Sequence, residues 1–310
     1  LNLSSKIKEI CLAAGFFKCG FTDISEIHSE RDYLSLWLTE KKQAGMDWME
    51  RTFEKRINPL LVMPEAKSVI SLAFIYDTPF THKEGEIIPK ISRYAYGDSD
   101  YHNILKKKLK EICRQIELLD EGIKTLYYVD DGPVMEKVWA QRAGIGWVGK
   151  HTNILNEEAG SFFFLSEILI NKKLESDIPA EDLCGGCTLC VQACPTGAIE
   201  SEYKLNPELC ISYQTIENKE EIPSYIDIAG WIYGCDICQD VCPYNRKKFF
   251  TSEESFYPKD KYFNKDISVY DSISEDEFKE DFRATPLKRL KYNRWRRNID
   301  RFKLNLNKKD

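Results

Sequence analysis

The chain lacks any run of 18 or more apolar residues, so it offers no candidate for a membrane-spanning helix. Its first fifteen residues mix Lys6, Lys8 and Glu9 with apolar side chains. They contain neither a twin arginine nor a signal-peptide core, so export is not expected. The first residue is Leu rather than Met, which suggests a trimmed, processed or unusual start. No repeat of solenoid period is present. Positive charge is not in excess either: 44 Lys and Arg stand against 50 Asp and Glu in 310 residues, a net charge of −6. That balance argues against a general nucleic-acid coat protein. The expected location is the cytoplasm, where cysteines are thiols or metal ligands rather than disulfides.

Cysteine is what the chain does have, eleven in all. Eight fall into two blocks. The first reads Cys184-Gly-Gly-Cys187-Thr-Leu-Cys190-Val-Gln-Ala-Cys194-Pro195, the spacing of the bacterial two-cluster ferredoxins. The second is Cys210, then Cys235-Asp-Ile-Cys238-Gln-Asp-Val-Cys242-Pro243. Three thiolates at x2-x2 spacing wrap one [4Fe–4S] cube, and the fourth, followed by Pro, usually ligates the other cluster. Applied here, Cys184, Cys187 and Cys190 join Cys242, and Cys194 joins Cys210, Cys235 and Cys238, with none left over. Zinc would need only pairs of cysteines around one tetrahedron; the repeated x3-C-P favours clusters. Cys11, Cys19 and Cys113 lie in helical or strand patterns and read as plain buried residues.

Periodicity gives the frame. Residues 4–14 form an amphipathic helix pattern, 31–51 read as further helix, and 66–76 as a buried strand. A helix over 100–119 carries an apolar stripe of Leu105, Leu109, Ile112, Ile116 and Leu119. A strand over 123–129 ends at Asp130-Asp131-Gly132-Pro133, and a helix follows to Ala143. Short strands are expected at 152–155 and 160–170. The fold class is therefore α+β. An N-terminal α/β layered domain (1–175) precedes a two-cluster ferredoxin-like domain (176–250) and a short, basic, helical C-terminal tail (251–310). Helices are expected in that tail at 275–283 and 288–301. The segment 288–301 holds seven basic residues and one acid. Its charge suits either a solvated helix end or a selective nucleic-acid contact.

A ferredoxin needs only the cysteine module, whereas about 170 residues precede it here and are expected to hold the electron acceptor. The most informative stretch among them runs from Tyr128 to Asn153. It sets Asp130 at the C-terminal end of a strand, where α/β sheets build sites, although a lone Asp there also serves as a helix cap. Joined to the cysteine blocks, this stretch resembles the epoxyqueuosine reductase family. The resemblance rests on Val129-Asp130, on Arg142-Ala-Gly-Ile-Gly-Trp-Val-Gly149-Lys150, and on Glu54-Lys-Arg56-x-x-Pro59. Further matches are Arg93-Tyr-Ala-Tyr-Gly97 with Asp100-Tyr-His102, Cys210-Ile-Ser212 and Tyr233-Gly-Cys-Asp236. It spans about residues 5–300. Asp131 departs from the usual small hydroxyl residue, and His151 stands where Asn is common. No C-terminal helical-repeat extension of the kind some members carry is seen.

The resemblance implies an oxidoreductase with cobalamin in the N-terminal domain and two [4Fe–4S] clusters in the C-terminal one. Its substrate is epoxyqueuosine at the wobble position of tRNA, and its product queuosine. The clusters deliver low-potential electrons to cobalamin, and Asp130 is the general acid, its carboxyl expected to be desolvated. Arg56, Asp130, Lys150, Asn153, Ile154, Leu165, Ser212 and Asp236 are the expected cobalamin contacts. Arg294, Arg296 and Arg297 are the expected tRNA phosphate contacts. An external low-potential donor and a monomeric state complete the picture. No cobalamin motif of the Asp-x-His-x-x-Gly kind occurs, so the cofactor enters through the resemblance alone. A reductive dehalogenase and a ferredoxin fused to a structural domain are the competing readings.

Overall fold

The computed structural model describes residues 2–246 and 249–307 and divides into two compact units. The first comprises Leu1–Ile75 and His102–Cys187; the second comprises Tyr76–Tyr101 and Thr188–Asp310. The boundaries differ from those read off the sequence. Residues 76–101 leave the first domain, and 251–310 is no separate tail but part of the second unit. Among the described residues, no helix is long and apolar enough to cross a membrane.

The first unit is built on a four-stranded sheet. Its order is Lys18–Asp23, Ser68–Ile75, Phe163–Ile170 and Thr125–Tyr128. Every pairing is antiparallel. The layered domain is thus α+β in connectivity, without the parallel strands of a doubly wound sheet. Ser68–Ile75 is buried at every position, which explains its unbroken apolar run: both faces are covered. The edge strand Lys18–Asp23 was hidden because it buries four successive residues, Cys19 to Thr22, without alternation and with Gly20 among them. Gly20 is required there, since a Cβ would sit 1.9 Å from the Ala143 carbonyl oxygen.

Helices cover the sheet. Leu3–Ala13 starts where the Asn2 side chain accepts the Ser5 amide at 2.8 Å. Tyr101–Glu117 buries Leu105, Leu109, Ile112 and Ile116, as its stripe demands. Glu136–Arg142 lays Trp139 against Val69 and Leu169 of the two central strands. The helix expected over 31–51 is broken into His28–Thr39 and Trp48–Arg51. Lys41 and Ala44 between them take positive φ, a conformation that ends a right-handed helix.

The second unit grows around a short parallel pair, Trp231–Tyr233 beside Lys90–Ile91. This pairing is why residues 76–101 belong here. The Ser92 amide donates to the Tyr233 carbonyl at 2.8 Å. The helix Lys291–Leu306 packs onto the same strand. It begins later than expected because Pro286–Leu290 forms a 3-10 turn and Lys291 has φ 55°. Its buried face inserts Trp295, Ile299 and Phe302 into a core with Ile232, Tyr270 and Phe282. Buried Asn298 donates to the carbonyls of Thr215 and Ile232 at 2.8 and 2.9 Å. The basic helix is therefore a structural strut. Trp295 is fully buried and meets the rings of Tyr270, Phe278 and Phe282. Trp295→Ala should cost about 3–5 kcal/mol of stability, read as a lower denaturation midpoint of the full chain. An unchanged midpoint would show that the helix is a detachable tail.

Candidate functional site

In the second unit, three segments bring thiols together. Helix Leu189–Ala193 packs against helix Ile237–Asp240. Cys194 ends the first, Cys210 opens the helix Ile211–Ile216, and Cys235 and Cys238 flank the start of the second. Burial pushes the thiols of Cys210, Cys235 and Cys238 up. Neighbouring sulfurs add to this. Cys210 feels Cys194, and Cys235 feels Cys238 and Cys210. Cys238 feels Cys210, Cys190 and Cys194. All eleven cysteines are free of disulfides. Among the described residues, no three potential ligands converge as closely as one metal ion needs. Four thiols close enough to act on one another are the donor set that a [4Fe–4S] cluster takes, so these residues fit such a cluster in kind. Backbone amides of Ser212 and Tyr213 point at Cys210, which favours its thiolate.

The frame around that set is charged and buried. Asp236 is 1% exposed. It accepts from the Ser92 hydroxyl, from the Arg93 amide at 2.8 Å, and from the Arg93 guanidinium at 3.3 Å. Burial raises its carboxyl to about 6 against the pull of Arg93. Arg93 also approaches Asp77 at 3.5 Å and Asp240 at 2.5 Å. Asp236 thus fixes the loop that carries Cys235 and Cys238, and its carboxylate is spent within the protein. Ser212, half-buried, contributes its amide to Cys210.

The other cysteine pair in the first unit has its own supports. The Trp147 indole N–H donates to the Cys184 sulfur at 3.4 Å. Buried Lys150 places its Nζ 2.6 Å from the Gly185 carbonyl. The Cys187 amide bonds the Cys184 carbonyl at 3.1 Å. Lys150, expected at a cofactor edge, is a clamp on the cysteine loop.

Asp130 sits at the tip of the turn after strand Thr125–Tyr128, with φ 52° and a side chain 57% exposed. The desolvated acid expected from the sequence is not what the chain alone provides. Its amide donates to Glu136 Oε1 at 2.7 Å, and its Oδ2 lies 3.9 Å from His102 Nε2. Gly132 keeps the turn tight, because a Cβ there would strike the Tyr128 ring at 2.1 Å. Asp131 pairs with Lys106 and accepts the Val129 amide at 3.1 Å. Burial opposes its ionisation, yet these partners hold Asp131 below the usual carboxylate range. Arg56 faces Glu136 and Asp130 and donates to Thr52 Oγ1 at 2.9 Å; burial lowers it despite those acids.

The remaining expected contacts divide. Asn153 Oδ1 accepts from Lys137 at 3.3 Å, and Lys137 also donates to the Thr152 carbonyl at 2.8 Å. Ile154 is buried in an apolar cluster with Ala73, Ile75 and Ala140, and half-buried Leu165 packs against it. His151 is buried and neutral, its pKa lowered to about 4 by burial and Lys137. Its Nδ1 accepts the Asn153 amide at 3.1 Å, while Nε2 is enclosed without a partner. Arg56 with Asp130, and Lys137 with Asn153, are two polar pairs of the first unit. Such a mixture of donors and acceptors suits a large ring fringed with amides, so the residues fit cobalamin in kind.

The three tail arginines are occupied. Arg294 donates to the carbonyls of Leu290, Ile216 and Arg289. Arg297 donates to those of Asn218, Glu220 and Gln214. Arg296 binds Asp271 at 2.7 Å. Their guanidinium groups are half-buried and hold protein carbonyls and the Asp271 carboxylate within the second unit. Sequence reasoning missed Trp147, Glu136 and Glu167. The last was visible as the one acid inside the apolar run 162–170.

Two family profiles match the chain. One, a 4Fe-4S double cluster binding domain, covers residues 183–245. The other, described as epoxyqueuosine reductase QueG, DUF1730, covers 56–131. The epoxyqueuosine reductase of Cellulophaga algicola is 40% identical over 299 residues, 96% of this chain and 97% of the relative. That of Escherichia coli is 37% identical over 304 residues, 96% and 80% of the two chains. A crystal structure of epoxyqueuosine reductase with an epoxyqueuosine-modified tRNA-Tyr stem loop superposes with a TM-score of 0.90 and 32% identity. It covers 98% of this chain and 81% of that one. The Streptococcus thermophilus enzyme gives a TM-score of 0.87 at 30% identity, over 99% and 82%.

The Trp147–Cys184 contact makes a measurable claim. Hydrogen bonds to cluster sulfurs raise the reduction potential. A bond of about 1 kcal/mol corresponds to roughly 40 mV for one electron. Trp147→Phe should lower one cluster potential by about that amount in a redox titration followed by EPR. An unchanged or higher potential would mean that the indole does not serve the cluster.

Proposed function

The chain belongs to the epoxyqueuosine reductase family, and from that premise we propose that Asp130 supplies a proton to the epoxide oxygen of its substrate. The protein is an oxidoreductase that reduces epoxyqueuosine in tRNA to queuosine, with two [4Fe–4S] clusters and cobalamin as cofactors. The observation that carries this reading is the near full-length match to an enzyme solved with its epoxyqueuosine stem loop.

When bound, the clusters supply single low-potential electrons, and cobalamin supplies the strong nucleophile that an epoxide carbon requires. The chain's own residues do the rest. Cys194, Cys210, Cys235 and Cys238 hold one cluster; Cys184, Cys187, Cys190 and Cys242 hold the other. Arg56, Lys137 and Asn153 would hold the amide fringe of the corrin, and Leu165 would offer it an apolar contact. Asp236 and Lys150 act at one remove, by fixing cysteine loops. Asp130 is exposed at its turn, where it would meet a nucleoside that has been unstacked from the anticodon loop.

The epoxide-bearing base is at the wobble position, and the enzyme works as a cytoplasmic monomer fed by an external low-potential donor. Arg294 and Arg297 shape the tRNA-facing surface by fixing segments 214–222, whereas Arg296 anchors Asp271.

Asp130→Asn tests the assignment. The variant should keep cobalamin and clusters, by absorbance and metal content, and lose about 10²–10⁴-fold in turnover. The assay is dithionite-driven conversion of epoxyqueuosine-containing tRNA, with queuosine counted by mass spectrometry. Turnover equal to the parent would remove Asp130 from the chemistry.

A further inference from the structure

Epoxide removal has a proton requirement that one aspartate does not meet. An epoxide plus two electrons and two protons gives an alkene and water. The first proton goes to oxygen as one C–O bond breaks. The second converts the resulting hydroxyl to water as the other C–O bond breaks and the C=C bond forms. Asp130 holds one proton. With cofactor and substrate over its turn, and water shut out as the chemistry demands, its next proton must come from the protein.

Behind that turn lie two carboxyl groups whose placement is hard to explain as stability. Glu167 is fully buried on the central strand Phe163–Ile170, paired across to Ser71 on one side and Tyr128 on the other. Ser71 Oγ donates to its Oε1 at 3.2 Å. Its Oε2 is enclosed without any donor. Glu136, in the first turn of its helix, contacts Glu167 by its carboxyl group and accepts the Asp130 amide at 2.7 Å. Two carboxylates in contact are strongly disfavoured as a doubly ionised pair at rest, and one proton between them satisfies both. It also gives Glu167 Oε2 the partner it lacks.

We propose that Glu136 and Glu167 share a single proton behind the Asp130 turn and return it to Asp130 after its first donation. This rests on the reading of Asp130 as the acid. Glu136 has a second task, as a positioning residue: its bond to the Asp130 amide holds that residue in its left-handed conformation. After the transfer the pair carries two negative charges beside Arg56, which faces Glu136 and Asp130. Solvent refills the store once product leaves. The ionisable groups around the pair are Asp130 and Asp131 on the turn, Arg56 from its helix, and His102 and Lys106 from the helix beyond. Burial and the neighbouring acids push Glu136 up to about 8 from an ordinary 4.5, and Glu167 upward too.

Glu167→Gln separates storage from structure, because the amide keeps the shape and donates permanently to Glu136. In the cluster-loaded parent at pH 7, infrared spectroscopy should show the carbonyl stretch of a neutral carboxylic acid, shifted in D2O. The variant should lack it. A group with a raised folded-state pKa stabilises fully below its unfolded value and loses that contribution as pH rises through the folded value. The parent should therefore lose melting temperature relative to the variant between pH about 4.5 and about 8. In turnover, Glu167→Gln should keep the KM for tRNA, lose about 10²-fold in kcat, and move the alkaline limb of its pH profile to lower pH. Glu136→Gln should also lose the infrared band. Absence of that band from the parent, or an unchanged kcat and pH limb in Glu167→Gln, overturns the proposal. A parent that leaves epoxyqueuosine intact would instead overturn the underlying reading, whatever the infrared result.

Discussion

Four thiols from three separated segments must meet inside the second unit, and most of its architecture serves that requirement. Cys194 and Cys238 are set by two short helices packed together, and Cys210 by the turn that opens another. Helices this short have no stability of their own, so they need an anchored frame. The strand Trp231–Tyr233 provides it, pinned by Lys90–Ile91 on its edge and by Asn298 and the packed face of Lys291–Leu306. Asp236 then locks the loop between the two cysteines to Arg93. A buried ion pair is weak evidence of stability. Its value here is geometric, because it fixes where Cys235 and Cys238 point.

The first unit answers a different demand. A reductive site has to hold protons where water is kept out. The antiparallel sheet supplies a rigid floor, with a strongly apolar central pair of strands, and then breaks its own rule with Glu167. Burying an acid there costs stability that Leu or Val would have provided. The compensation is local order: Ser71, Glu167 and Glu136 form a continuous polar thread to the backbone of Asp130. Asp130 itself remains exposed at its turn, so the fold keeps the costly groups behind the proposed acid and leaves that residue accessible.

Much of this was legible in the amino-acid order, and the failures have physical causes. The cysteine spacing needed no structure, because cluster geometry dictates it. Long periodic elements such as Tyr101–Glu117 and the buried strand Ser68–Ile75 declared themselves by their apolar patterns. The edge strand Lys18–Asp23 did not, since Cys19 to Thr22 are buried in succession without alternation and Gly20 interrupts the apolar run, though close packing demands it. The domain boundaries were misread because a two-residue strand, Lys90–Ile91, carries residues 76–101 into the second unit, and so short a pairing leaves no periodic trace. Charge in a sequence does not reveal partners: the guanidinium groups of Arg294 and Arg297 hold backbone carbonyls and that of Arg296 holds Asp271. Asp130 was proposed from its motif, while Glu136 stood beside it unassigned.

The central claim is that electrons stored on the chain's own clusters, with protons held by its own carboxyls, remove the epoxide oxygen. A single-turnover experiment tests it most directly. The loaded protein is reduced, freed of external reductant, mixed with an epoxyqueuosine-containing tRNA stem loop and freeze-quenched. Reduced clusters are then followed by EPR and queuosine is counted by mass spectrometry. The account predicts that two electrons leave the clusters for each queuosine formed. Queuosine appearing while both clusters remain reduced, or clusters oxidised with the epoxide intact, would contradict it.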